Sequence, residues 1–388
     1  MKILIVANGY PDRREPQWGC FEKDQALALA QLGHKVSIFY FDRRFRKYWR
    51  KIGITKKRDQ GLTIYGMFIM PLGWLRDKVS YELHQKFVMY VFDRLYREYL
   101  KDNDKPDIIY AHYLWNISYA TKLKEKYNIP LVGIEHWSGL TGEKLTSVAR
   151  YWGEMAYNKT DRLLAVSQSL QTHIKRHFGK DSIVVYDMLG QDFISPKVLK
   201  KEKNDELKRG GTFYFVSIGS LIHRKGFDIL ISAFAKSNLT SKGCRLIIVG
   251  DGPEKKRLVN QSSELEISGF VSLVGKKTKE EIINIMSICH AFVLSSRAET
   301  FGVVCIEALS QGLPNIATVC GGPEEFITDK NGLLIPTDDI DAMAEAMCRI
   351  YENYCQYDKA AIANECLSKF SPCVIASQLT EIFEGVLQ

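Results

Sequence analysis

The chain has 388 residues, of which 46% are hydrophobic and 25% are charged, as in ordinary globular domains. This length exceeds the size at which one hydrophobic core keeps growing, so we expect two compact domains. Membrane-spanning helices are not predicted, because no apolar run approaches the ~20 residues that a span requires. The nine cysteines include no C-x-x-C pair, so neither a zinc site nor a disulfide framework is predicted, and we expect reduced thiols in a cytoplasmic protein.

Positive charge is concentrated in the N-terminal half of the chain. Residues 1–190 carry 31 Lys and Arg against 20 Asp and Glu, whereas residues 191–388 carry 22 against 25. Segment Arg43–Arg58 mixes basic residues with Phe, Tyr and Trp, which suits an anionic membrane surface and also nucleic acid. Our hypothesis is peripheral docking at the inner face of a membrane, with no nucleic-acid partner. Leu72–Leu100 has a similar composition, but a core helix at Val79–Leu100 with a solvated basic face explains it at least as well.

Short runs of Val, Ile and Leu alternate with helical segments in the first half. The opening run Met1–Ala7 is too short, and too soon followed by Asn8, to be a signal peptide, so it predicts a first parallel strand. A helix over Cys20–Leu32 is closed by Gly33. The predicted strands are Ile3–Ala7, Val36–Phe41, Asp107–Ala111, Leu131–Ile134, Arg162–Val166 and Ile183–Tyr186. This alternation predicts a parallel sheet covered on both faces.

A polar segment, Pro196–Gly211, separates this series from a second one and has the composition of a linker. The second series of strands is Phe213–Ile218, Arg245–Val249, Val271–Val274, Ala291–Leu294, Pro314–Ala317 and Gly332–Ile335. We therefore predict an α/β protein of two Rossmann-like, doubly wound domains facing each other across a cleft, with ligands at the carboxyl ends of the strands. The predicted parts are an N-terminal domain (1–195), a linker (196–211), a C-terminal domain (212–370) and a C-terminal helix (371–388) that packs back on the N-terminal domain.

The segment Glu299–Glu307, E-T-F-G-V-V-C-I-E, follows a strand of the second series. Gly302 permits close approach of the backbone, and a helix beginning at Val303 presents N–H groups that can face a phosphate. Glu307 lies just over one turn into that helix. Because a carboxylate repels a phosphate, we expect Glu307 to meet sugar hydroxyls such as those of a ribose. Taken alone, two solvated surface glutamates would explain the segment about as well.

Further motifs accompany this segment in a specific order. They are an early glycine loop at Gly19, E-H-W at Glu135–Trp137, A-V-S at Ala165–Ser167, G-S-L-I-H-R-K-G at Gly219–Gly226 and V-G-D-G-P-E at Val249–Glu254. Together with the E-x7-E spacing, they resemble the family 4 retaining glycosyltransferases, which have the GT-B fold. The resemblance implies transfer of a sugar from a UDP- or GDP-sugar, without a cofactor, to a glycan or lipid-linked acceptor, as in bacterial surface polysaccharide biosynthesis.

The resemblance also implies roles for single residues. Arg224 and Lys225 would neutralise the diphosphate leaving group, because a guanidinium and an ammonium both bind phosphate. Glu299 would hold hydroxyls of the donor sugar, and His136 would contact the transferred sugar. The residues expected to bind the donor nucleotide are Gly19, Gly219, Lys276, Phe301, Gly302, Val303, Val304 and Glu307, with Gly275 and Lys277 beside the base.

Other candidates are open to a structural explanation. Glu22 is a candidate for binding the acceptor, but a carboxylate that stabilises the helix dipole is as plausible there. His112 is a second acceptor candidate, balanced against a purely structural histidine. Gly321, Gly322 and Glu325 are expected to shape a loop and to be structural first.

Two positions depart from the usual pattern of the family. Paired glycines are usual where this chain has Trp18–Gly19, so the contacts of that loop stay open. An Asn-Gly-Val-Asp-like turn is usual where this chain has Asp187–Asp192, a change that could alter the hinge or the acceptor edge.

No metal site is predicted. The D-x-D string Asp102–Asp104 precedes a strand and is typical of a surface turn, and no H-E-x-x-H or Cys/His cluster occurs. We expect a mechanism in which the cationic pair and the helix amides stabilise the departing diphosphate. Two alternatives stay open: a catalytically silent sugar-nucleotide or glycan-binding scaffold, and a sugar-nucleotide epimerase of similar architecture. A phosphorylase would need a pyridoxal-binding lysine and a much longer chain.

Overall fold

The computed structural model describes residues 1–44, 50–69, 81–194 and 211–388. The chain divides into two compact units, the first made of Met1–Met188 and Pro372–Gln388 and the second of Leu189–Ser371. The linker predicted at 196–211 lies outside the described residues, apart from Gly211.

The first unit is built on a sheet of eight strands. These are β1 (Lys2–Ala7), β2 (Lys35–Asp42), β3 (Gly53–Asp59), β4 (Leu62–Phe68), β5 (Ile108–His112), β6 (Leu131–Glu135), β7 (Arg162–Ala165) and β8 (Ile183–Val184). Its helices include α1 (Cys20–Gln31), α2 (Tyr81–Leu100), α3 (Tyr113–Tyr127), α4 (Ser147–Lys159) and α5 (Gln168–Phe178). The strand order is β3-β4-β2-β1-β5-β6-β7-β8, and every neighbouring pair except β3 with β4 is parallel. The order reverses between β1 and β5, which is where ligands bind in such sheets.

The second unit is built on a parallel sheet of six strands. These are β9 (Tyr214–Ile218), β10 (Arg245–Val249), β11 (Val271–Leu273), β12 (Ala291–Leu294), β13 (Asn315–Thr318) and β14 (Gly332–Ile335). The helices are α6 (Phe227–Lys236), α7 (Lys255–Glu264), α8 (Lys279–Ile288), α9 (Val303–Ser310), α10 (Ile340–Asn353) and α11 (Lys359–Phe370). The strand order is β11-β10-β9-β12-β13-β14, so the order reverses between β9 and β12.

The two units confirm the predicted α/β class and the predicted parallel strands. Strands β1, β5, β6 and β12 are buried along almost their whole length, as expected for parallel strands covered on both faces. Local chemistry sets several helix starts. Thr278 and Glu281 form a reciprocal capping box at the start of α8, and the Asp339 side chain accepts the Ala342 N–H at the start of α10.

An antiparallel edge strand occupies part of the segment Arg43–Arg58. Residues 53–58 of that segment lie in β3, which pairs with β4 through a turn at Gln60 and Gly61. Both turn residues have positive φ, 50° and 84°, as a tight hairpin requires. Edge strands commonly carry charged side chains that protect them from pairing with other chains. The basic composition of β3 therefore gave no apolar run from which a strand could be predicted.

Two arginines of the same segment are held by internal contacts. Arg44 and Arg50 both form ion pairs with Asp42, and the Arg50 guanidinium lies 3.6 Å from the centre of the Phe68 ring. The aromatic residues that motivated the membrane hypothesis, Phe45, Tyr48 and Trp49, lie outside the described residues.

The core helix predicted over Val79–Leu100 is confirmed from Tyr81 onward by α2. Its buried side chains are Val88, Val91, Phe92, Leu95, Tyr96 and Tyr99. None of the helices in the described ranges is both long and apolar enough to cross a membrane.

The last helix of the chain, α12 (Pro372–Leu387), belongs to the first unit. The Phe383 ring packs edge-on against Tyr110 with ring centres 5.1 Å apart. Thr380 Oγ lies 2.9 Å from His34 Nε2, which ties the same helix to the turn before β2.

Candidate functional site

The turn after β9 presents Arg224 and Lys225 at the reversal point of the second sheet. Residues His223–Lys225 form one 3₁₀ turn that ends at Gly226, whose φ is 62°. A Cβ at Gly226 would stand 1.9 Å from the carbonyl oxygen of Ser295. Only glycine combines this backbone conformation with so close an approach, so the turn is pressed directly against the segment that leaves β12.

Two hydrogen bonds fasten the turn to that segment. Ser295 Oγ donates to the carbonyl oxygen of Lys225 at 2.9 Å, and the Arg297 N–H donates to the carbonyl oxygen of Arg224 at 2.8 Å. The backbone of both predicted cations is therefore fixed by the neighbouring loop.

Lys225 and Glu299 form an ion pair within the second unit. Lys225 Nζ bonds Glu299 Oε1, and Ser296 Oγ donates to the same oxygen at 2.6 Å. The two side chains are only 18% and 10% exposed, so water screens the pair weakly. The structure thus brings together the predicted phosphate-binding lysine and the predicted sugar-binding carboxylate.

Arg297 is a residue that sequence reasoning missed. Its guanidinium forms a fork with the Asp228 carboxylate, with distances of 3.1 Å and 3.0 Å, and its Nε donates to Asp338 at 2.6 Å. Burial opposes the Asp228 charge, but the hydrogen bonds and charge of Arg297 outweigh it and lower the pKa of Asp228. Arg297 lies two residues before Glu299, yet a single arginine in a loop carries no sequence signal that distinguishes it from a solvated one.

Helix α9 begins beside this cluster. Gly302 caps the helix at a φ of 92°, and Phe301 before it is 1% exposed. A Cβ at Gly322 would lie 2.2 Å from the Phe301 carbonyl oxygen, so Gly322 is needed for packing, as expected of a structural residue. The first N–H groups of α9, including those of Val303 and Val304, have no intrahelical acceptor. This helix start can therefore accept an anion at the end of β12.

Glu307 is the fifth of the eight residues of α9 and is half-buried. Val303 and Glu307 are four residues apart, so they occupy the same side of the helix. The carboxylate is therefore one turn below the anion-accepting amides, as the sequence analysis expected.

The remaining donor candidates lie at the ends of neighbouring strands. Gly219 follows β9, and a Cβ at Gly250 would stand 1.8 Å from its carbonyl oxygen. The Gly250 N–H donates to the Gly275 carbonyl at 3.0 Å, which links the ends of β9, β10 and β11. Lys276 is exposed at the end of β11, and Lys277 forms an ion pair with Glu281 at 3.1 Å.

In the first unit, the loop between β1 and α1 packs tightly around Trp18. A Cβ at Gly9 would clash with the Trp18 ring at 2.1 Å, and a Cβ at Gly19 would lie 2.3 Å from the Gly9 carbonyl oxygen. The Arg44 guanidinium stacks 3.4 Å from the centre of the indole, and the Tyr40 ring meets it edge-on. Trp18 thus fills the space beside Gly9 and fixes the loop that ends at Gly19.

Glu22, His112 and His136 converge at the strand ends of the first unit. His136 Nε2 lies 3.2 Å from His112 Nδ1, and His136 Nδ1 lies 3.1 Å from Asp187 Oδ1. Glu22 is 3% exposed and accepts the Asn8 N–H at 3.0 Å. It is therefore a buried member of this cluster and not a solvated carboxylate. Asp187, noted only as part of an unusual turn, is the member that sequence reasoning did not assign to the site.

Burial sets the titration of this cluster. Desolvation raises the pKa of Glu22, against the hydrogen bonds of the Glu22 and Asn8 amides, and lowers the pKa of His112 well below its usual range. Burial also opposes the charge of His136, but Asp187, Glu22 and Glu135 outweigh it and raise the pKa of His136.

The D-x-D string is a surface turn, as expected. Asp104 forms an ion pair with Lys2 at 2.9 Å, and Asp102 pairs with Lys56. Within the described ranges, the structure contains no cluster of three or more His, Cys, Asp or Glu side chains that could hold a metal ion.

Comparisons with known proteins match both halves of the chain. The family model of the glycosyl transferases group 1 matches residues 199–365, and the model of Glycosyltransferase Family 4 matches residues 23–186. A putative teichuronic acid biosynthesis glycosyltransferase of Bacillus subtilis, TuaC, is 26% identical over 372 residues, covering 91% of this chain and 90% of the relative. An uncharacterized glycosyltransferase of Methanocaldococcus jannaschii is 26% identical over 249 residues, covering 64% of this chain and 66% of the relative.

Solved structures share the fold over the full length. Sucrose-phosphate synthase from Thermosynechococcus elongatus aligns with a TM-score of 0.78 at 18% identity, covering 100% of this chain and 99% of the other. HepE from Anabaena, solved in complex with UDP, aligns with a TM-score of 0.73 at 20% identity, covering 99% and 100%. Because both halves match models of these transferases and the whole chain has the fold of their structures, the chain belongs to the group 1, family 4 glycosyltransferases of the GT-B fold.

Proposed function

We propose that this glycosyltransferase moves a sugar, with retention of anomeric configuration and without a metal ion, from a UDP- or GDP-sugar to a glycan or lipid-linked acceptor. The observation that supports the proposal is the cluster of Arg224, Lys225 and Glu299 at the reversal point of the second sheet, held by backbone hydrogen bonds and an ion pair. The start of α9 lies at the end of the adjacent strand β12. Ligands of doubly wound sheets bind at this point.

The chemistry of the cluster suits a departing nucleoside diphosphate. Arg224, Lys225 and the amides of α9 supply positive charge and N–H donors where the diphosphate develops negative charge. These fixed cations do the work that a divalent metal does in other phosphate-leaving reactions. Glu299 accepts hydrogen bonds from neutral sugar hydroxyls, and Glu307 accepts those of the ribose.

Retention enters the proposal through the resemblance to a retaining family, and with no nucleophile assigned among Arg224, Lys225 and Glu299 it requires the acceptor to attack the face of the sugar that the diphosphate leaves. Glu299 already shares its Oε1 with Lys225 and Ser296, so its role is to hold the sugar and neutralise the lysine. The acceptor then attacks the face that the diphosphate leaves, and a phosphate oxygen takes the acceptor proton.

Surface polysaccharide assembly is the proposed context. TuaC of Bacillus subtilis is described as a teichuronic acid biosynthesis glycosyltransferase, and LpsE of Rhizobium meliloti, 33% identical over 136 residues, as a lipopolysaccharide core biosynthesis glycosyltransferase. An acceptor presented at a membrane would suit a cytoplasmic enzyme docked at the inner face of that membrane.

The proposed docking surface includes the outer face of α2. Leu83, Phe87 and Tyr90 are 59%, 42% and 55% exposed, and they repeat at the spacing of one helix face with Lys86 and Arg94 beside them. Exposed aromatic and basic residues on one helix favour an anionic lipid surface. Cosedimentation with anionic liposomes should fall in Phe87→Ser/Tyr90→Ser and be absent with neutral liposomes; equal recovery in every arm would remove the docking proposal.

A thermal-shift panel tests the donor site. UDP, GDP and ADP and their sugar forms are added to the wild type, to Glu307→Gln and to Glu280→Gln, an exposed helix glutamate that serves as the matched control. One nucleotide series should raise the melting temperature of the wild type and the control, since a ligand of the folded state stabilises it. The shift should be lost or much reduced in Glu307→Gln. No shift with any nucleotide would favour a silent glycan-binding scaffold instead.

A further inference from the structure

Three side chains from three strand ends form a continuous chain in the first unit. Asp187 follows β8, His136 follows β6 and His112 ends β5. Asp187 Oδ1 lies 3.1 Å from His136 Nδ1, and His136 Nε2 lies 3.2 Å from His112 Nδ1. The two imidazole rings are nearly parallel, with an angle of 6° between them. The His136 side chain is 8% exposed and His112 is fully buried.

Counting hydrogens restricts the arrangement to two states. An ionised carboxylate only accepts, so His136 Nδ1 must carry a hydrogen that it donates to Asp187. A single hydrogen must then lie between His136 Nε2 and His112 Nδ1. If His112 carries it, His136 is neutral; if His136 carries it, His136 is an imidazolium and His112 is the neutral Nε2–H tautomer.

The hydrogen bonds of His112 do not distinguish between these two protonation states. Its Nε2 is buried and has no hydrogen-bond partner among the described residues in either case. The groups around His136 favour its protonated state. The groups that face His136 are Glu22 on α1, His112 on β5, Tyr113 on α3, Glu135 on β6 and Asp187 after β8. Three of these are carboxyl groups, of which Asp187 lies within ion-pair distance of His136, whereas burial raises the pKa of Glu22 and of Glu135. The remaining two groups carry no positive charge, because burial keeps His112 neutral.

We propose that Asp187 is a positioning residue that holds His136 as an imidazolium, with Nδ1–H donated to Asp187 and Nε2–H donated to His112. Both ring nitrogens are then occupied, so the ring is fixed in orientation and cannot serve as a general base. The Asp187–His136 pair presents a rigid ring edge with little net charge at the strand ends. This use of the pair rests on the proposed function, in which His136 contacts the transferred sugar.

Nuclear magnetic resonance of histidine-labelled protein tests the protonation state without any activity. With ¹⁵N-histidine and His136→Gln to assign the signal, His136 should show two protonated nitrogens at pH 7 and a midpoint above the usual value of about 6.5. In Asp187→Asn the midpoint should fall by one unit or more, that is, at least tenfold in the acid dissociation constant. Asp181→Asn, which removes a surface partner of Lys175 in the same unit, should leave it unchanged. A neutral His136 at pH 7 in the wild type would overturn the proposal even if Asp187→Asn failed to fold.

Turnover provides a second readout. With a donor and acceptor in hand, kcat should decline as pH rises through the His136 midpoint, and this decline should begin at lower pH in Asp187→Asn with little change in KM. An unchanged pH profile in Asp187→Asn would overturn the positioning role. If the imidazolium is observed but the wild type transfers no sugar, the proposed function fails while the assignment of His136 stands.

Discussion

Replacing Lys225 by Met, alone and together with a change at Glu299, distinguishes the contribution of Lys225 to the stability of the second unit from its contribution to turnover. The substitution keeps most of the apolar stem of the side chain and removes the ammonium that bonds Glu299 Oε1. Glu299 then remains buried, with Ser296 Oγ as the surviving donor to that oxygen. Because the Glu299 side chain is only 10% exposed, water cannot replace the lost charge.

The magnitude follows from the cost of leaving one partner of a buried pair behind. Breaking such a pair costs about 3–5 kcal/mol when it is fully buried, and the partial exposure of Lys225 favours the lower end, about 3 kcal/mol. The double variant Lys225→Met/Glu299→Leu removes both charges, so it should recover most of that loss. Turnover should not recover, because the double variant still lacks the Lys225 ammonium that would bind the diphosphate. Loss of this cation should lower kcat by a factor of about 10²–10³.

Chemical denaturation and donor turnover of the wild type, both single variants and the double variant provide the assay. We expect a coupling free energy between Lys225 and Glu299 in the free energy of unfolding, together with low turnover in all three variants. A double variant no more stable than Lys225→Met would show that the pair does not hold Glu299 in place. Near-normal turnover in Lys225→Met would refute the assignment of the lysine to the leaving group.

Three further predictions concern the supports of both sites. Arg297→Lys keeps the charge but loses the forked bond to Asp228, so stability should fall by about 1–2 kcal/mol and kcat should fall with it; normal kcat at reduced stability would show that Arg297 does not position the turn. Gly226→Ala should lower the free energy of unfolding by at least ~2 kcal/mol, because the new Cβ adds a clash to backbone strain. The control Gly179→Ala, at a φ of 66° with open space around it, should lose only the strain of about 1–2 kcal/mol. Equal losses of stability in denaturant melts of the two variants would contradict the clash. The raised pKa of His136 contributes stability that is fully present below about pH 6.5 and is lost as pH rises through the folded pKa; in His136→Gln the pH dependence of unfolding should flatten in that window.

The strand and helix series could be predicted because parallel, fully buried strands appear as continuous apolar runs. The β3–β4 hairpin could not be predicted in the same way. Lys56, Lys57 and Arg58 make β3 polar on an exposed edge, so the apolar signal that marks a strand is absent there. The membrane hypothesis for Arg43–Arg58 stays a prediction; composition alone could not show that Arg50 is paired with Asp42.

The site residues divide along a similar line. Arg224, Lys225 and Glu299 fall in a motif order that is specific when read together, and the structure places them at one reversal point. Arg297 and Asp187 could not be predicted because their roles depend on partners distant in sequence. Asp228 is 69 residues from Arg297, and His136 follows β6 whereas Asp187 follows β8. Such contacts form only when the sheet has assembled, so no local sequence pattern predicts them.

Transfer of a labelled sugar tests the central claim most directly. The nucleotide sugar identified by thermal shift, labelled with ¹³C at its anomeric carbon, is incubated with the enzyme, a lipid-linked glycan acceptor and a chelator of divalent metals. We expect the sugar to become attached with the anomeric configuration of the donor, with one nucleoside diphosphate released per sugar. In Lys225→Met the rate of transfer should fall by a factor of about 10²–10³. Inversion at the labelled carbon, an epimerised donor with no attachment, or the absence of any diphosphate release would contradict it.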